Sequence, residues 1–160
     1  MLIRAARHDD RAAIASIIMP IIREGATYAL DRTMSEADAL SYWIDPDKET
    51  FVAEVEGSIV GTYYLRPNQA GGGRHVCNCG YMTARFASGQ GVARSMCAHS
   101  IEIAQGRDYR AMQFNFVVST NERAVRLWQH MGFAIVGRLP DGYDHPTLGF
   151  VDALVMFRAI

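Results

Sequence analysis

The sequence carries almost no net charge, because 16 lysine and arginine residues face 17 aspartate and glutamate residues, for a formal charge of -1 at pH 7. Binding to the phosphates of nucleic acid usually needs a basic excess, so we expect no nucleic-acid partner. The chain also lacks an apolar run long enough to span a membrane. Its first apolar residues, Leu2 to Ala5, are followed at once by His8, Asp9 and Asp10 rather than by a signal-peptide core. We therefore expect no membrane partner and a cytoplasmic location.

Cysteine is scarce, with Cys77, Cys79 and Cys97 as the three instances. An odd number argues against a disulfide framework. The Cys-x-Cys pair lies on a predicted strand, where alternation puts both thiols on one face, and we interpret all three as reduced packing residues. The alternatives are a covalent acyl carrier and a metal site. No cluster of histidine and cysteine completes a metal shell, so we expect no metal.

Low-complexity segments and internal repeats are also absent from the 160 residues, of which 49% are hydrophobic and 21% charged. This composition excludes disordered and fibrous classes. A chain of this length buries roughly 70% of its unfolded surface, which is enough for a core without metals or disulfides. We expect a single domain over residues 1–160.

A glycine-rich segment, Ser88-Gly89-Gln90-Gly91-Val92-Ala93, runs into an apolar-periodic segment from Arg94 to Gln105. Glycines let the backbone turn tightly, and the free amides and positive dipole end of a following helix favour an anion. This pattern predicts a phosphate site, although a plain strand-to-helix turn is the alternative. About thirty residues later, Asn121 to Phe133 is predicted to be a helix with a polar cap and a glycine stop.

In this order and at this separation, the two segments resemble the acyl-CoA-dependent N-acetyltransferases of the GNAT superfamily. The first family pattern is Gln/Arg-x-x-Gly-x-Gly/Ala, which Gly91 and Ala93 match while Ser88 stands at the Gln/Arg position. The second pattern is Asn-x-x-Ala-x-x-Leu-Tyr-x-x-x-Gly-Phe, in which Trp128 replaces the tyrosine. Its matched positions are Asn121, Ala124, Leu127, Gly132 and Phe133.

The resemblance implies a mixed α/β fold of the GNAT type, with a central mixed sheet of six to seven strands flanked by about four helices. Sequence periodicity supports this class. We expect Pro20 to kink or end the first helix, and Glu56-Gly57 to turn a hairpin. The other predicted elements are a helix from Ala37 to Trp43, strands over 1–6, 51–55, 59–65, 75–83 and 111–118, and a closing pair over 133–136 and 150–158 around a loop over 140–146.

The same resemblance implies acetyl-CoA as co-substrate. Amides of the glycine-rich loop would hold its pyrophosphate, and Arg94 would add positive charge. Backbone groups at the end of the preceding strand would pair with the pantetheine arm. The donor-binding residues implied in this way are Tyr81, Met82, Thr83, Gly89, Gln90, Gly91, Val92, Ala93, Arg94 and Asn121. For Asn121, a role as helix N-cap is an equally good interpretation, and both roles can coexist.

Two further asparagines, Asn78 and Asn115, fall within apolar strands, and Asn115 is expected to be buried. An amide there needs a partner, so the two should meet each other, the backbone or a ligand. Their spacing with Asn121 is similar to that of fungal N-acetyltransferases that detoxify proline analogues, and of related bacterial proteins. That resemblance implies that Asn78 and Asn115 orient an amino-acid-like acceptor. The alternative is a polar pair that bridges two strands.

The expected reaction is direct attack of a small-molecule amine on the thioester within a ternary complex. Trp128 stands where the family tyrosine protonates the leaving thiolate, and an indole cannot deliver a proton at neutral pH. For the base, His75, Glu102 and Asp144 are candidates, but we expect water to remove the amine proton. Alternatives to this function are an acyl-CoA-binding module with little catalysis and a protein-amine acetyltransferase. A homodimer is possible because the family often forms one.

Overall fold

A computed structural model describes all 160 residues and contains one seven-stranded sheet in the order β1-β2-β3-β4-β5-β7-β6. Only β4 and β5 are parallel neighbours. The mixed α/β class with seven strands and four α-helices is therefore confirmed. The strands are β1 Leu2–Ala5, β2 Glu49–Val55, β3 Ser58–Pro67, β4 Val76–Thr83, β5 Ala111–Val118, β6 Ala134–His145 and β7 Gly149–Ala159; the helices are α1 Arg11–Glu24, α2 Glu36–Trp43, α3 Val92–Gly106 and α4 Glu122–His130.

The sheet opens in its middle, between β4 and β5. These strands pair only at Val76 with Ala111 and at Cys77 with Met112, and they diverge beyond that point. The Asn78 side chain bridges the beginning of the gap, because its Nδ2 donates to the Gln113 carbonyl oxygen at 3.0 Å. The backbone edges of two strands are thus left facing each other without a ladder.

Helices cover both faces of the sheet. On one face, Trp43 of α2 donates its indole N–H to Thr62 Oγ1 at 2.9 Å. On the other face, the Tyr63 hydroxyl lies 2.7 Å from Nδ1 of His99 in α3. The three cysteines are free and buried in this core, as predicted. No helix has both the length and the apolar composition needed to cross a bilayer.

Pro20 does not end helix α1, one of the two outcomes predicted for it, because the helix continues to Glu24. Gly25 caps the helix with a φ of +64°, and its N–H donates to the Ile21 carbonyl oxygen at 3.2 Å. Proline inside a helix removes one backbone hydrogen bond. Buried side chains on both sides of it, Ile18 and Ile22, keep a single apolar face packed on the sheet. Tertiary burial therefore outweighs the local cost.

Strand β6 is a second difference, since the predicted loop over 140–146 lies almost wholly within it. Pro140 is tolerated because β6 is an edge strand, where a missing N–H breaks no ladder on the open side. The register with β7 shifts between Leu139 and Tyr143. The shift turns Tyr143 inwards, where its hydroxyl lies 3.1 Å from the Tyr28 carbonyl oxygen and also contacts that of Gly25.

Candidate functional site

A cavity of about 790 Å³ follows the gap between β4 and β5. One end is formed by the glycine-rich loop and the start of α4, and the other by aromatic and polar side chains of α2, β3 and β5. All predicted site residues except Gln90 line it: Asn78, Tyr81, Met82, Thr83, Gly89, Gly91, Val92, Ala93, Arg94, Asn115 and Asn121. The fold therefore brings together residues that are up to 43 positions apart in the chain, from Asn78 to Asn121.

The glycine-rich loop presents free backbone amides at the start of α3. Gly89 and Gly91 have φ values of +89° and +80°, a region that side chains other than glycine rarely adopt. The first helical turn has no intrahelical acceptors for its N–H groups, which leaves them available to an anion. The amides without a hydrogen bond in the protein are those of Gly89, Gly91, Val92, Ala93 and Arg94.

Gln90 is the exception within this loop. Its amide donates to the Ala87 carbonyl oxygen at 3.3 Å, and its side-chain Nε2 donates to that of Phe86 at 3.1 Å. Both bonds close the turn on itself. The structure thus separates Gln90, a turn residue, from the amides that face the gap.

Arg123 is a cation at this end that sequence reasoning missed. Its Nη1 donates to Ser88 Oγ at 2.9 Å, and no acidic side chain pairs with it. It is the second residue of α4, where positive charge opposes the helix dipole. An arginine at an electrostatically unfavourable helix position indicates a role outside helix stability. The sequence does not show, however, that Ser88 lies beside Arg123.

Asn121 combines a cap with a position on the cavity wall. Its Oδ1 accepts from the Ala124 amide at 3.4 Å, so the predicted N-cap role is confirmed. The same residue lines the cavity between Arg123 and the gap, so a contact with a bound molecule is geometrically open to it.

The open edge of β4 follows from its register with β3. Hydrogen bonds from Ala84 to Val60 and from Asn68 to Val76 show that even-numbered residues of β4 face β3. Alternation then directs the backbone N–H and C=O groups of Tyr81 and Thr83 into the gap. Met82 instead pairs its backbone with β3 and buries its side chain.

One of these backbone groups, the Tyr81 carbonyl oxygen, already has a partner, because the Tyr28 hydroxyl donates to it at 2.9 Å. The Tyr81 N–H remains free. Burial raises the pKa of the Tyr28 phenol, so it stays protonated and keeps this bond at neutral pH. The Tyr81 ring itself is core, packed against Trp128 at 5.0 Å between centroids and bonded to Ser100 Oγ at 2.7 Å.

The two predicted strand asparagines lie at the other end of the cavity, but they do not bond to each other. Asn78 is buried and uses Nδ2 on Gln113, while its Oδ1 has no partner in the protein. Asn115 is exposed, contrary to expectation; its Nδ2 donates to Asn68 Oδ1 at 2.6 Å and its Oδ1 accepts from Gln113 Nε2 at 2.9 Å. A register shift between Phe114 and Val117 rotates this part of β5 out of the core.

Aromatic rings close this end of the cavity. The Tyr64 ring lies directly over Gly80, where an added Cβ would be 2.7 Å from the ring. Its hydroxyl lies 3.4 Å from that of Tyr42. Nζ of Lys48 sits 3.6 Å from the centroid of the Tyr42 ring, and burial together with the charge of Arg66 lowers the pKa of Lys48 to about 8.

Acid–base groups are scarce around the cavity. The lining residues include no histidine, and none of the three candidate bases, His75, Glu102 and Asp144, is among them. The single lining carboxylate, Glu24, pairs with Arg85 at 3.0 Å. Trp128 is buried beside Tyr81, and its indole N–H has no hydrogen-bond partner in the protein. No cluster of three or more histidine, cysteine or acidic side chains is placed to hold a metal ion.

Comparisons with known proteins agree with this geometry. Residues 15–133 match the sequence profile of the Acetyltransferase (GNAT) family. A GCN5-related N-acetyltransferase from Kribbella flavida is 37% identical, with 99% of this chain and 97% of that chain covered and a TM-score of 0.94. The chain therefore belongs to the GNAT family of acetyltransferases.

Two more distant proteins extend the comparison. The N-acetyltransferase aca1 of Schizosaccharomyces pombe is 26% identical over 151 residues, which span 84% of this chain and 72% of that protein. A phosphinothricin acetyltransferase from Sinorhizobium meliloti, solved in complex with AcCoA, is 18% identical with a TM-score of 0.87, covering 99% of this chain and 88% of that chain. The latter similarity concerns the fold.

Proposed function

We propose that the protein is an acetyl-CoA-dependent N-acetyltransferase that acetylates the amine of a small molecule, an amino acid or amino-acid analogue. The observation that carries the proposal is the continuous cavity through the β4/β5 gap, with free amides at one end and the Asn78–Asn115 pair at the other. Such a cavity lets a long donor and a small acceptor enter from opposite ends and meet between the strands.

The donor end suits a pyrophosphate. Free N–H groups of Gly89 and Gly91, with those of the first turn of α3, supply hydrogen bonds to phosphate oxygens. Arg94 and Arg123 add positive charge beside these amides. In the gap, the backbone groups of Thr83 supply a strand edge for the amides of pantetheine.

At the reacting centre, the amine nitrogen forms a bond to the thioester carbonyl carbon while the carbon–sulfur bond breaks. A backbone donor, the Tyr81 N–H, is positioned to stabilise negative charge on the carbonyl oxygen. The indole N–H of Trp128 can donate to the departing sulfur, which takes its proton from water. The amine proton also goes to water, because the lining lacks a free carboxylate or imidazole. Holding both reactants aligned then supplies most of the rate enhancement.

At the acceptor end, the free Oδ1 of Asn78 is an acceptor for the amine N–H, and the exposed amide of Asn115 is a donor. This arrangement supports the likeness to proline-analogue acetyltransferases that the asparagine spacing implies. A cationic acceptor, such as a polyamine or a basic peptide, would meet no free carboxylate in the lining.

The test is thiol release from acetyl-CoA with a panel of amino acids, proline analogues, polyamines and peptides, using wild type and Asn115→Ala in parallel. We expect release that depends on an amino-acid-like acceptor and falls at least tenfold in Asn115→Ala. Tight CoA binding without release for any acceptor would instead favour an acyl-CoA-binding module. Release with peptides alone would favour a protein-amine acetyltransferase.

A further inference from the structure

Nε of Arg66 is the only side-chain nitrogen or oxygen atom in the chain that is itself shielded from solvent and lacks a hydrogen-bond partner. The unpaired Oδ1 of Asn78 and indole N–H of Trp128, by contrast, retain accessible surface. Native proteins rarely leave such a group unpaired, and each instance needs an explanation. The guanidinium also forms no ion pair and no other side-chain hydrogen bond, although it lines the cavity. Arg66 is therefore a cation whose hydrogen-bonding capacity is unused within the protein.

Its position is next to the proposed acceptor site. Arg66 is the register partner of Asn78 on β3 and β4. Directly opposed residues share a face of the sheet, with Cβ atoms about 5 Å apart. Asn78 in turn lies three residues before Tyr81, which corresponds to about 10 Å along an extended strand. A small molecule that touches Arg66 can thus reach the middle of the gap.

The charge around Arg66 favours an anion. Lys48 is close enough for Arg66 to lower its pKa, and no carboxylate in the cavity lining is left unpaired. Asp45 and Asp47 act on Lys48 from outside the cavity lining and partly offset its charge. Arg66 itself has no ion pair, so it gives the end of the cavity opposite the pyrophosphate loop a positive potential. The two Nη groups of a guanidinium offer a pair of N–H donors that matches the two oxygens of a carboxylate.

We propose that Arg66 is a specificity-determining residue that binds the carboxylate of the acceptor, so that the substrate class is α-amino or imino acids rather than simple amines. The inference rests on the proposed function. In this arrangement the carboxylate pairs with the Nη groups of Arg66, and the amine of the same molecule faces Asn78 Oδ1 and the thioester.

The experiment compares an amino acid, its carboxamide and its decarboxylated amine, with rates expressed per free-base amine. Wild type should prefer the amino acid at least tenfold in kcat/KM. Arg66→Gln should raise the KM for the amino acid about 30- to 100-fold, the loss expected for a charge-assisted pair of hydrogen bonds. The kcat/KM for the decarboxylated amine and the KM for acetyl-CoA should change less than about threefold.

Arg74→Gln is the matched control, because it removes one positive charge from an exposed arginine between the same two strands, outside the cavity. Arg66→Lys keeps the charge without the planar fork and should lie between wild type and Arg66→Gln. Equal losses on all three acceptors in Arg66→Gln, or a wild-type preference for the two compounds without a carboxylate, would overturn the role of Arg66.

Calorimetric binding of the amino acid to the protein–CoA complex separates the two proposals. Binding that Arg66→Gln abolishes, without turnover in wild type, would support the carboxylate site and contradict the acetyltransferase function. Turnover of amines without a preference for a carboxylate would support the acetyltransferase function and contradict the carboxylate site. Absence of both binding and turnover for every amino acid tested would overturn both.

Discussion

Replacing Arg123 by alanine should weaken donor binding without weakening the fold. The guanidinium contacts Ser88 in the glycine-rich loop, so a pyrophosphate on the neighbouring amides would lie within about 5 Å of it. At that distance, with an effective dielectric constant of 20, two unit charges interact by about 3 kcal/mol. Exposure and salt reduce this to about 1.5–2 kcal/mol, which corresponds to about a 10- to 30-fold increase in the Kd for CoA.

The stability of the Arg123→Ala variant should not fall together with its affinity for CoA. Because Arg123 is a cation in the first turn of α4, its removal relieves an unfavourable interaction with the helix dipole. We expect the free energy of unfolding in urea to stay equal or to rise by up to about 0.5 kcal/mol. A binding defect caused by general loosening of the protein would show the opposite sign.

The assay measures kcat/KM for acetyl-CoA and for acetyl-pantetheine, which lacks the pyrophosphate. Arg123→Ala should reduce the first about 10- to 30-fold and leave the second within about twofold. The control is Arg126→Ala on the same helix, whose guanidinium pairs with Glu122 at the surface and should matter to neither substrate. Equal losses on both donors, or equal losses in the two variants, would refute the electrostatic argument.

Other outcomes follow from neighbouring parts of the site. Asn78→Ala should lower the free energy of unfolding by about 1–3 kcal/mol, since it leaves the half-buried Gln113 carbonyl without its donor. Asn115→Ala, at an exposed position, should change it by less than about 0.5 kcal/mol, and urea unfolding of both variants distinguishes them. Trp128→Phe keeps the ring packing but loses the indole N–H, so we expect kcat to fall no more than about tenfold; a loss above a hundredfold would contradict departure of the thiol with water alone. Without an enzyme base, the pH at which kcat/KM levels off should follow the pKa of each acceptor amine, and one common value for acceptors of different basicity would point to an enzymic group. Burial raises the pKa of the Cys97 thiol from 9.0 to about 12. The stability that the protonated thiol contributes is therefore present below pH 9 and is lost as the pH rises, because the thiol of the unfolded chain ionises first. Between pH 9 and 11 the free energy of unfolding should consequently fall less steeply with pH in Cys97→Ala than in wild type, the two slopes differing by about 1.4 kcal/mol per pH unit.

Much of the fold could be predicted from the sequence because local patterns and packing agree. Glu56-Gly57 is an example: both residues have positive φ, +50° and +80°, as a tight hairpin turn requires. The continuation of α1 past Pro20 and the strand over most of 140–146 could not be predicted, because tertiary burial and a sheet edge decide these conformations. Proline signals a local cost, but the sequence does not show what compensates it.

The donor end of the site was easier to anticipate than the acceptor end. Gly89 and Gly91 are a local pattern, and their conformation depends mainly on their own backbone freedom. The environments of Asn115, Arg66 and Arg123 instead depend on a bulge, on a strand gap and on a helix that approaches from another part of the chain. None of these long-range contacts produces a recognisable sequence pattern within a few residues of the side chain concerned.

The open edge of β4 has an evolutionary consequence. Its N–H and C=O groups belong to every residue type except proline, which lacks the N–H, so mutation of the Tyr81 or Thr83 side chain leaves the edge chemically intact. Solved structures retain TM-scores of 0.94 and 0.87 at identities of 37% and 18% to this chain. The fold and this backbone edge can therefore persist through extensive sequence change. Side chains at the far end of the cavity can change independently of this edge, so the range of acceptors could change without a change of fold.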